Sequence, residues 1–240
     1  MWGYYDEELT KNRRDCKEIL DIGPAVERGP LAGSHPQWPT DPAYRENLEL
    51  LIHHLHADAL TVTRAIVGTL TADQPDFGAV FGEHSSFLRV NYYPLSDHPA
   101  AEDADTHSPQ GQLGIHHHTD AGAVTLLVQD GNSGLQVLRE QKWHTLPAPE
   151  QHIVVNIGDI VQVWSNDRYR APLHRVLASQ AIPRLSLPYF LNPAYDYDYV
   201  PLTSGAPRYR PINWGEFRAR RSAGDYANLG EEVQISDYAC

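Results

Sequence analysis

Residues 113–130 read LGIHHHTDAGAVTLLVQD, and the reading of this stretch decides the fold of the whole chain. Its apolar and β-branched positions predict strand. Side chains at i and i+2 of a strand share a face, so His118 and Asp120 can grip one ion together. His118 sits in a run with His116 and His117. On a regular strand His116 shares its face and His117 points the other way, but only His118 has an acid two residues on. A third ligand must come from a distant strand. The candidate is His174 in YRAPLHRV (169–176), followed by Arg184 and Ser186 in PRLSLPYF (183–190). Two histidines and one carboxylate on one face, with the other positions open, form the facial triad that holds non-haem Fe(II).

An HxD pair alone recurs by chance. The ordered set carries the reading: HxD, then Gly158-Asp159, then a lone His174, then Arg184-x-Ser186. Working outward, short β-rich runs from Leu113 to Asn192 alternate with turns at 131–132, 156–159 and 165–167. That spacing predicts a mainly β fold of jelly-roll type, with helices at its flanks. Asp41-Pro42 opens a helix, Asp as N-cap and Pro at the first turn. Leu48, Leu51, Leu55, Ala59, Val62, Ile66 and Leu70 continue it at helical spacing to near Thr71. His53, His54 and His56 on that helix read as solvent or packing residues. Residues 85–92 predict a strand. Residues 96–112 (SDHPAAEDADTHSPQGQ) are polar and aperiodic and predict a mobile surface loop. His98 and His107 stand there beside aspartates, as expected of a solvated charged loop. After Pro193, Tyr195, Tyr197 and Tyr199 alternate as an edge strand or cap, and a helix from Trp214 is expected to pack on the barrel. The expected organisation is one domain over 1–240, with a core of about 85–192, a packing helix at 41–71 and a tail at 193–240.

Composition bounds the function. A chain of 240 residues with 41% hydrophobic content can bury a substantial core. Nineteen basic against thirty-one acidic residues give a net charge of −12, which argues against nucleic-acid binding through a cationic surface. The two cysteines, Cys16 and Cys240, form neither a disulfide framework nor a zinc site, and favour a reducing, cytoplasmic setting. No apolar run is long enough to span a bilayer, and MWGYYDEELTKNRRD does not read as a signal peptide.

Seven motifs now stand in order: NYYP at 91–94, HTD at 118–120, TLLVQD at 125–130, GLQV at 134–137, VVNIGD at 154–159, SNDRYRAPLHRV at 165–176 and RLS at 184–186. Together they resemble the 2-oxoglutarate/Fe(II) dioxygenases of the isopenicillin N synthase-like group, and the resemblance runs from about Gly3 onward. It implies a double-stranded β-helix core, the cupin-like jelly roll. It implies Fe(II) on His118, Asp120 and His174, with 2-oxoglutarate as cosubstrate and dioxygen as oxidant. The far carboxylate of 2-oxoglutarate would meet Arg184 and Ser186, with Tyr93 and Asn91 completing the pocket. A guanidinium suits that carboxylate, because it can bind it through two parallel charge-assisted hydrogen bonds. Phe190 and Arg89 match positions that face substrate in relatives, against the plainer reading of core and surface. An aromatic pocket with an arginine suits a small carboxylated or phenolic molecule.

The reaction so implied is hydroxylation or desaturation of a small organic molecule, in secondary metabolism, with release of succinate and CO2. Two alternatives stay open. One is an oxidase like isopenicillin N synthase, in which Arg184 and Ser186 hold a substrate carboxylate. The other is a non-catalytic binding descendant. Relatives carry a strand-and-helix section before the segment that matches residues 3–23, and here Cys16 stands where many have tryptophan. The expectation is therefore a sheet edge that is either filled by residues from 1–40 or open to self-association.

Overall fold

The computed structural model describes residues 2–27, 32–107, 109–226 and 232–240. The chain opens with four short strands: β1 (Gly3–Tyr5), β2 (Leu9–Thr10), β3 (Arg13–Arg14) and β4 (Glu18–Ile22). Helices α1 (Pro42–Gly68) and α2 (Phe77–Phe81) follow. Next come β5 (Phe87–Tyr93), β6 (Leu113–His118), β7 (Val124–Gln129), β8 (Leu135–Arg139), β9 (Lys142–Thr145) and β10 (Ile153–Ile157). A one-and-a-half-turn helix α3 (Asp159–Trp164) leads to β11 (His174–Leu177) and β12 (Arg184–Leu191). The tail adds β13 (Asp198–Tyr199), β14 (Ile212–Asn213) and α4 (Trp214–Tyr226).

Two antiparallel sheets build the core: a six-stranded one in the order β1-β4-β5-β12-β7-β10, and a four-stranded one in the order β6-β11-β8-β9. The strand crossings are those of a jelly roll. Because the side-chain period is two, alternate residues of β5, β7 and β12 face the interior between the sheets, and the others face outward. The outward set includes Leu88, Leu126, Tyr189 and Leu191, and α1 covers it. Asp41 caps α1 by accepting from the Ala43 N–H at 2.9 Å, as the Asp-Pro pair implied. The buried stripe runs Leu48, Leu55, Ala59, Thr63, Val67. The stripe moves from Val62 to Thr63 and from Ile66 to Val67, and the helix stops at Gly68. Fully buried Leu55 alone contributes about 2 kcal/mol by burial. His56 is a packing residue: its Nδ1 lies 2.7 Å from the Tyr189 hydroxyl, and its ring stacks on His84 at 4.3 Å.

Of the two outcomes expected at the sheet edge, residues from 1–40 supply strands there: β4 pairs with β5 and β1 with β4, lengthening the larger sheet. Loop 96–112 is held down, because buried Arg175 donates to the carbonyls of Ala104 (2.9 Å) and Glu102 (2.8 Å), and Gln136 donates to Glu102 as well. A buried guanidinium needs its donors satisfied, and here two backbone oxygens and Gln136 Oε1 satisfy them. The Trp143 ring covers its face at 4.2 Å. Among the described residues, no helix is long and apolar enough to cross a membrane.

Candidate active site

Strand register assembles the site. β11 lies against β6 with His174 directly opposite His118, and the two rings sit 4.3 Å apart. β12 lies against β5 with Arg184 opposite Tyr93 and Ser186 opposite Asn91. Cross-strand partners on one face are near neighbours. Residues far apart in the chain therefore meet in pairs. All the residues singled out in the sequence, His118, Asp120, His174, Arg184, Ser186, Tyr93, Asn91, Phe190 and Arg89, line one cavity of about 290 Å³ between the sheets.

Asp120 reaches the pair by a different route from the one expected. β6 ends at His118, so Asp120 is not an i+2 strand neighbour but lies in the turn beyond. That turn is fixed from behind: the Asp159 N–H donates to the Asp120 carbonyl at 2.8 Å, and a side chain at Gly158 would strike the backbone of Asp120 and Gly122. This accounts for the Gly-Asp pair. Asp120 Oδ2 accepts from Thr125 Oγ1 at 2.7 Å and Asn156 Nδ2 at 2.6 Å, which leaves Oδ1 turned to the histidines. Oδ1 is 3.8 Å from His118 Nε2 and 3.6 Å from His174 Nε2.

The ring tautomers are set by what each Nδ1 meets. His118 Nδ1 lies 2.8 Å from the His116 carbonyl, and His174 Nδ1 lies 3.0 Å from that of Pro172. A carbonyl only accepts, so both Nδ1 atoms carry a proton, and it is Nε2 of each ring that is left to meet a metal. Burial, with His174 beside it, pushes His118 down to about 3, so the ring is neutral, the form that ligates a metal. For Asp120, burial works against the charge, but the two rings and the Thr125 and Asn156 hydrogen bonds outweigh it and lower its pKa. Two imidazole nitrogens and one carboxylate oxygen within 4.8 Å of one another fit a divalent ion, and among the described residues no other such group exists. His116 turns to Asp15 instead, and His117 packs edge-on against His107 at 5.3 Å.

Across the cavity, Arg184 is buried and two of its nitrogens are committed: Nε to the Asn132 carbonyl at 3.0 Å and Nη2 to Gln129 Oε1 at 2.7 Å. Its Nη1 is buried with no partner among the described residues, and so is Asn91 Oδ1. Ser186 Oγ stands 3.3 Å from both Asn91 Nδ2 and the Tyr93 hydroxyl, while the Tyr93 ring covers the guanidinium at 5.0 Å. A buried donor without an acceptor is costly. An incoming carboxylate would relieve it.

One wall of the cavity is aromatic, with Phe190 stacked on Phe87 at 4.8 Å, and Trp214 also lines the cavity. Arg89 faces this wall, but it is already gripped by Asp21 through two 2.7 Å hydrogen bonds and by Glu8. Lys17 bridges Glu8 and Asp15 in the same buried network. Glu8, Lys17 and Trp214 were not singled out in the sequence, and neither were Thr125, Asn156 or Arg221. Arg221 is buried on α4 and ties that helix to the metal-side turn, donating to the Thr119 carbonyl at 3.0 Å and pairing with Asp159 at 3.4 Å and with Glu232. The helix from Trp214 therefore does more than pack. It forms part of the cavity wall.

The buried network is expected to make the fold acid-sensitive. Burial opposes the charge on Glu8, yet Arg89 and Lys17 prevail and hold it at about 2, below the ordinary 4.5. A depressed carboxylate contributes stability that is complete above its unfolded value and lost as pH falls through its folded one. A shift of this size is worth on the order of 3 kcal/mol. Glu8→Gln is therefore expected to lower stability at neutral pH and to flatten its fall between pH 4.5 and 2, as read by denaturant unfolding. Parallel loss in both proteins would show that Glu8 does not carry it.

The comparisons with known proteins agree with this geometry. Residues 84–193 match the profile of the 2OG-Fe(II) oxygenase superfamily. Gibberellin 2-beta-dioxygenase 6 of Oryza sativa subsp. japonica is 35% identical over 188 residues, covering 75% of this chain and 49% of the relative. The crystal structure of a full-length Neurospora crassa protein in complex with alpha-KG superposes with a TM-score of 0.73 at 28% identity, covering 92% of this chain and 75% of that one. The structure of JOX2 in complex with 2OG, Fe and JA gives 0.74 at 28% identity, covering 90% and 64%. The chain spans about half the length of the curated relatives it matches.

Proposed function

Since the chain belongs to the 2OG-Fe(II) oxygenase superfamily, we propose that it is a 2-oxoglutarate-dependent dioxygenase that oxidises a small organic molecule. One observation carries the reading: the triad His118, Asp120, His174 and Arg184, whose Nη1 has no partner among the described residues, line the same cavity. With Fe(II), 2-oxoglutarate and dioxygen bound, such a centre supplies oxidative decarboxylation to succinate and CO2, coupled to oxidation of a substrate C–H bond.

The chain's own residues do the rest. His118 and His174 present their Nε2 atoms, and Asp120 presents Oδ1 as the single negative ligand. Arg184 and Ser186 bind the far carboxylate of the cosubstrate, while Gln129 and the Asn132 carbonyl keep the guanidinium aimed. Tyr93 covers that guanidinium and excludes water from it. Phe190 and Phe87 take the flat or apolar body of the substrate. Arg89 contributes through its pair with Glu8, so a substrate hydroxyl or amide suits this wall at least as well as a carboxylate. The two free cysteines fit a cytoplasmic protein, and secondary metabolism is the setting proposed for it.

Succinate formation with Fe(II), 2-oxoglutarate and oxygen tests the proposal. Gibberellin, jasmonate and thymine form the first substrate panel, since compounds of these kinds are named with its relatives. We expect succinate release, increased by a true substrate. Substrate oxidation without any succinate would replace this reading by the oxidase one, and no turnover with an intact metal site would favour the binding descendant.

A further inference from the structure

β6 and β11 do not pair regularly. His174 faces His118 and Val176 faces Ile115. Three steps on β6 thus match two on β11, and the extra residue falls at His116–His117. A bulge of this kind re-aims side chains and leaves backbone groups outside the ladder. It explains why His116 and His117 are both buried, where a regular strand would alternate. The bulge is held from the side by the N-terminal segment. The chain from Asp15 to Cys16 runs alongside, and the Cys16 N–H donates to the Leu113 carbonyl at 2.9 Å. The Asp15 side chain is fully buried there. Its Oδ1 accepts from the His116 backbone N–H at 3.0 Å and meets the His116 ring Nδ1 at 2.9 Å. Oδ2 accepts from the Thr10 hydroxyl at 2.7 Å and pairs with Lys17 at 3.2 Å. A carboxylate oxygen grips both the backbone and the ring of one residue, so the His116 peptide has little freedom. Its carbonyl is the acceptor for His118 Nδ1.

We propose that Asp15 is a positioning residue for the metal centre, acting through His116 to fix the orientation and tautomer of His118. This rests on the reading of His118 as a ligand. The chain of contacts is Asp15 carboxylate, His116 N–H and ring, His116 carbonyl, His118 Nδ1–H, and His118 Nε2 toward the metal. Outer partners of a ligating histidine keep its ring oriented and its free nitrogen basic, and losing one typically weakens metal binding about 10–100-fold. Asp15 acts one residue further out, so the low end is expected. The N-terminal segment thereby becomes part of the metal centre's support and not only a cover over it.

The test uses Co(II), followed by its d–d absorption, on the full chain and on Asp15→Ala, Asp15→Asn and Asp21→Asn. Asp15→Ala should bind Co(II) about tenfold more weakly, with shifted bands. Asp15→Asn keeps an acceptor for His116 and should restore most of the affinity. Asp21→Asn breaks a buried ion pair of the same network without touching His116. It should cost stability and leave the bands in place. Imidazole 15N shifts of the metal-free wild type supply a measurement that needs no variant: both His116 and His118 must show the Nδ1–H tautomer. Wild-type affinity and bands in Asp15→Ala, or an Nε2–H tautomer at either histidine, would overturn the proposal alone. Failure of the wild type to bind Co(II) at all would overturn the functional reading with it.

Discussion

Asp120→Ala is expected to abolish Fe(II) retention, while His117→Ala leaves it nearly unchanged. The contrast follows from what each side chain faces. Asp120 supplies the only negative charge among the three ligand atoms, and its Oδ1 lies within 4 Å of both histidine Nε2 atoms. Without it, two neutral imidazoles remain, a set that does not compete with water for a divalent ion. The loss should exceed the roughly 100-fold upper range seen for outer partners. Truncation also strands the Thr125 hydroxyl and the Asn156 amide, both of which donate to Asp120. A buried donor left unsatisfied costs about 1–3 kcal/mol, so the metal-free variant should melt earlier than the wild type. His117 offers neither effect, since its ring packs on His107. Equilibrium dialysis against Fe(II) or Co(II) decides the matter. Retention of one equivalent by Asp120→Ala would remove this residue from the metal site.

Much of the site was legible in the sequence because its chemistry is carried by residue types that are conspicuous at their spacing. An HxD pair, a lone histidine before Arg-Val and an Arg-x-Ser pair in an apolar strand each stand out against their surroundings. What could not be read was how they come together. The register that places His174 opposite His118, and Arg184 opposite Tyr93, is a property of strand pairing between segments far apart in the chain. Nothing local to either segment encodes it. The strand argument brought His118 and Asp120 together, as the structure does, but for an incomplete reason. Asp120 lies past the strand end and is aimed by the Gly158-Asp159 turn behind it.

Other parts were hidden because charged residues look alike whether buried or exposed. Glu8, Asp15, Lys17 and Asp21 occur in a polar opening segment that reads as surface, yet all four are buried. Each is tolerated inside because it has an opposite partner, Lys17 with Glu8 and Asp15, and Arg89 with Asp21. A buried charge left with neither a counter-ion nor hydrogen bonds costs roughly several kcal/mol per ion. The loop at 96–112 misled in the same way. Its composition is that of a free loop, but Arg175 pins it from the adjacent strand. Arg89 matched a substrate-facing position, and it does line the cavity, but its guanidinium is committed to Asp21 and Glu8. The pattern locates the residue. Only its partners say what charge it presents.

Arg184→Ala is expected to raise the 2-oxoglutarate requirement by two to three orders of magnitude. The guanidinium is buried, with Nε and Nη2 already committed to the Asn132 carbonyl and Gln129 and only Nη1 unpartnered among the described residues. Those two bonds fix the plane of the fork and so hold Nη1 in one direction, in the cavity that Ser186 also lines. Removing one member of a buried charged pair typically costs about 3–5 kcal/mol, and each 1.4 kcal/mol is a factor of about ten. Arg184→Lys should recover only part of the loss. An ammonium can satisfy Gln129 or the cosubstrate, but it lacks the planar fork that serves both. Gln129 and the Asn132 carbonyl would then compete with the ligand for a single charge. The measurement is the concentration of 2-oxoglutarate that half-saturates succinate release, with metal binding checked in parallel, since neither variant touches the His-Asp-His ligands. An unchanged requirement in Arg184→Ala would mean that the buried fork serves something other than the cosubstrate. It would then favour the oxidase, in which the same arginine and Ser186 hold a carboxylate of the substrate itself.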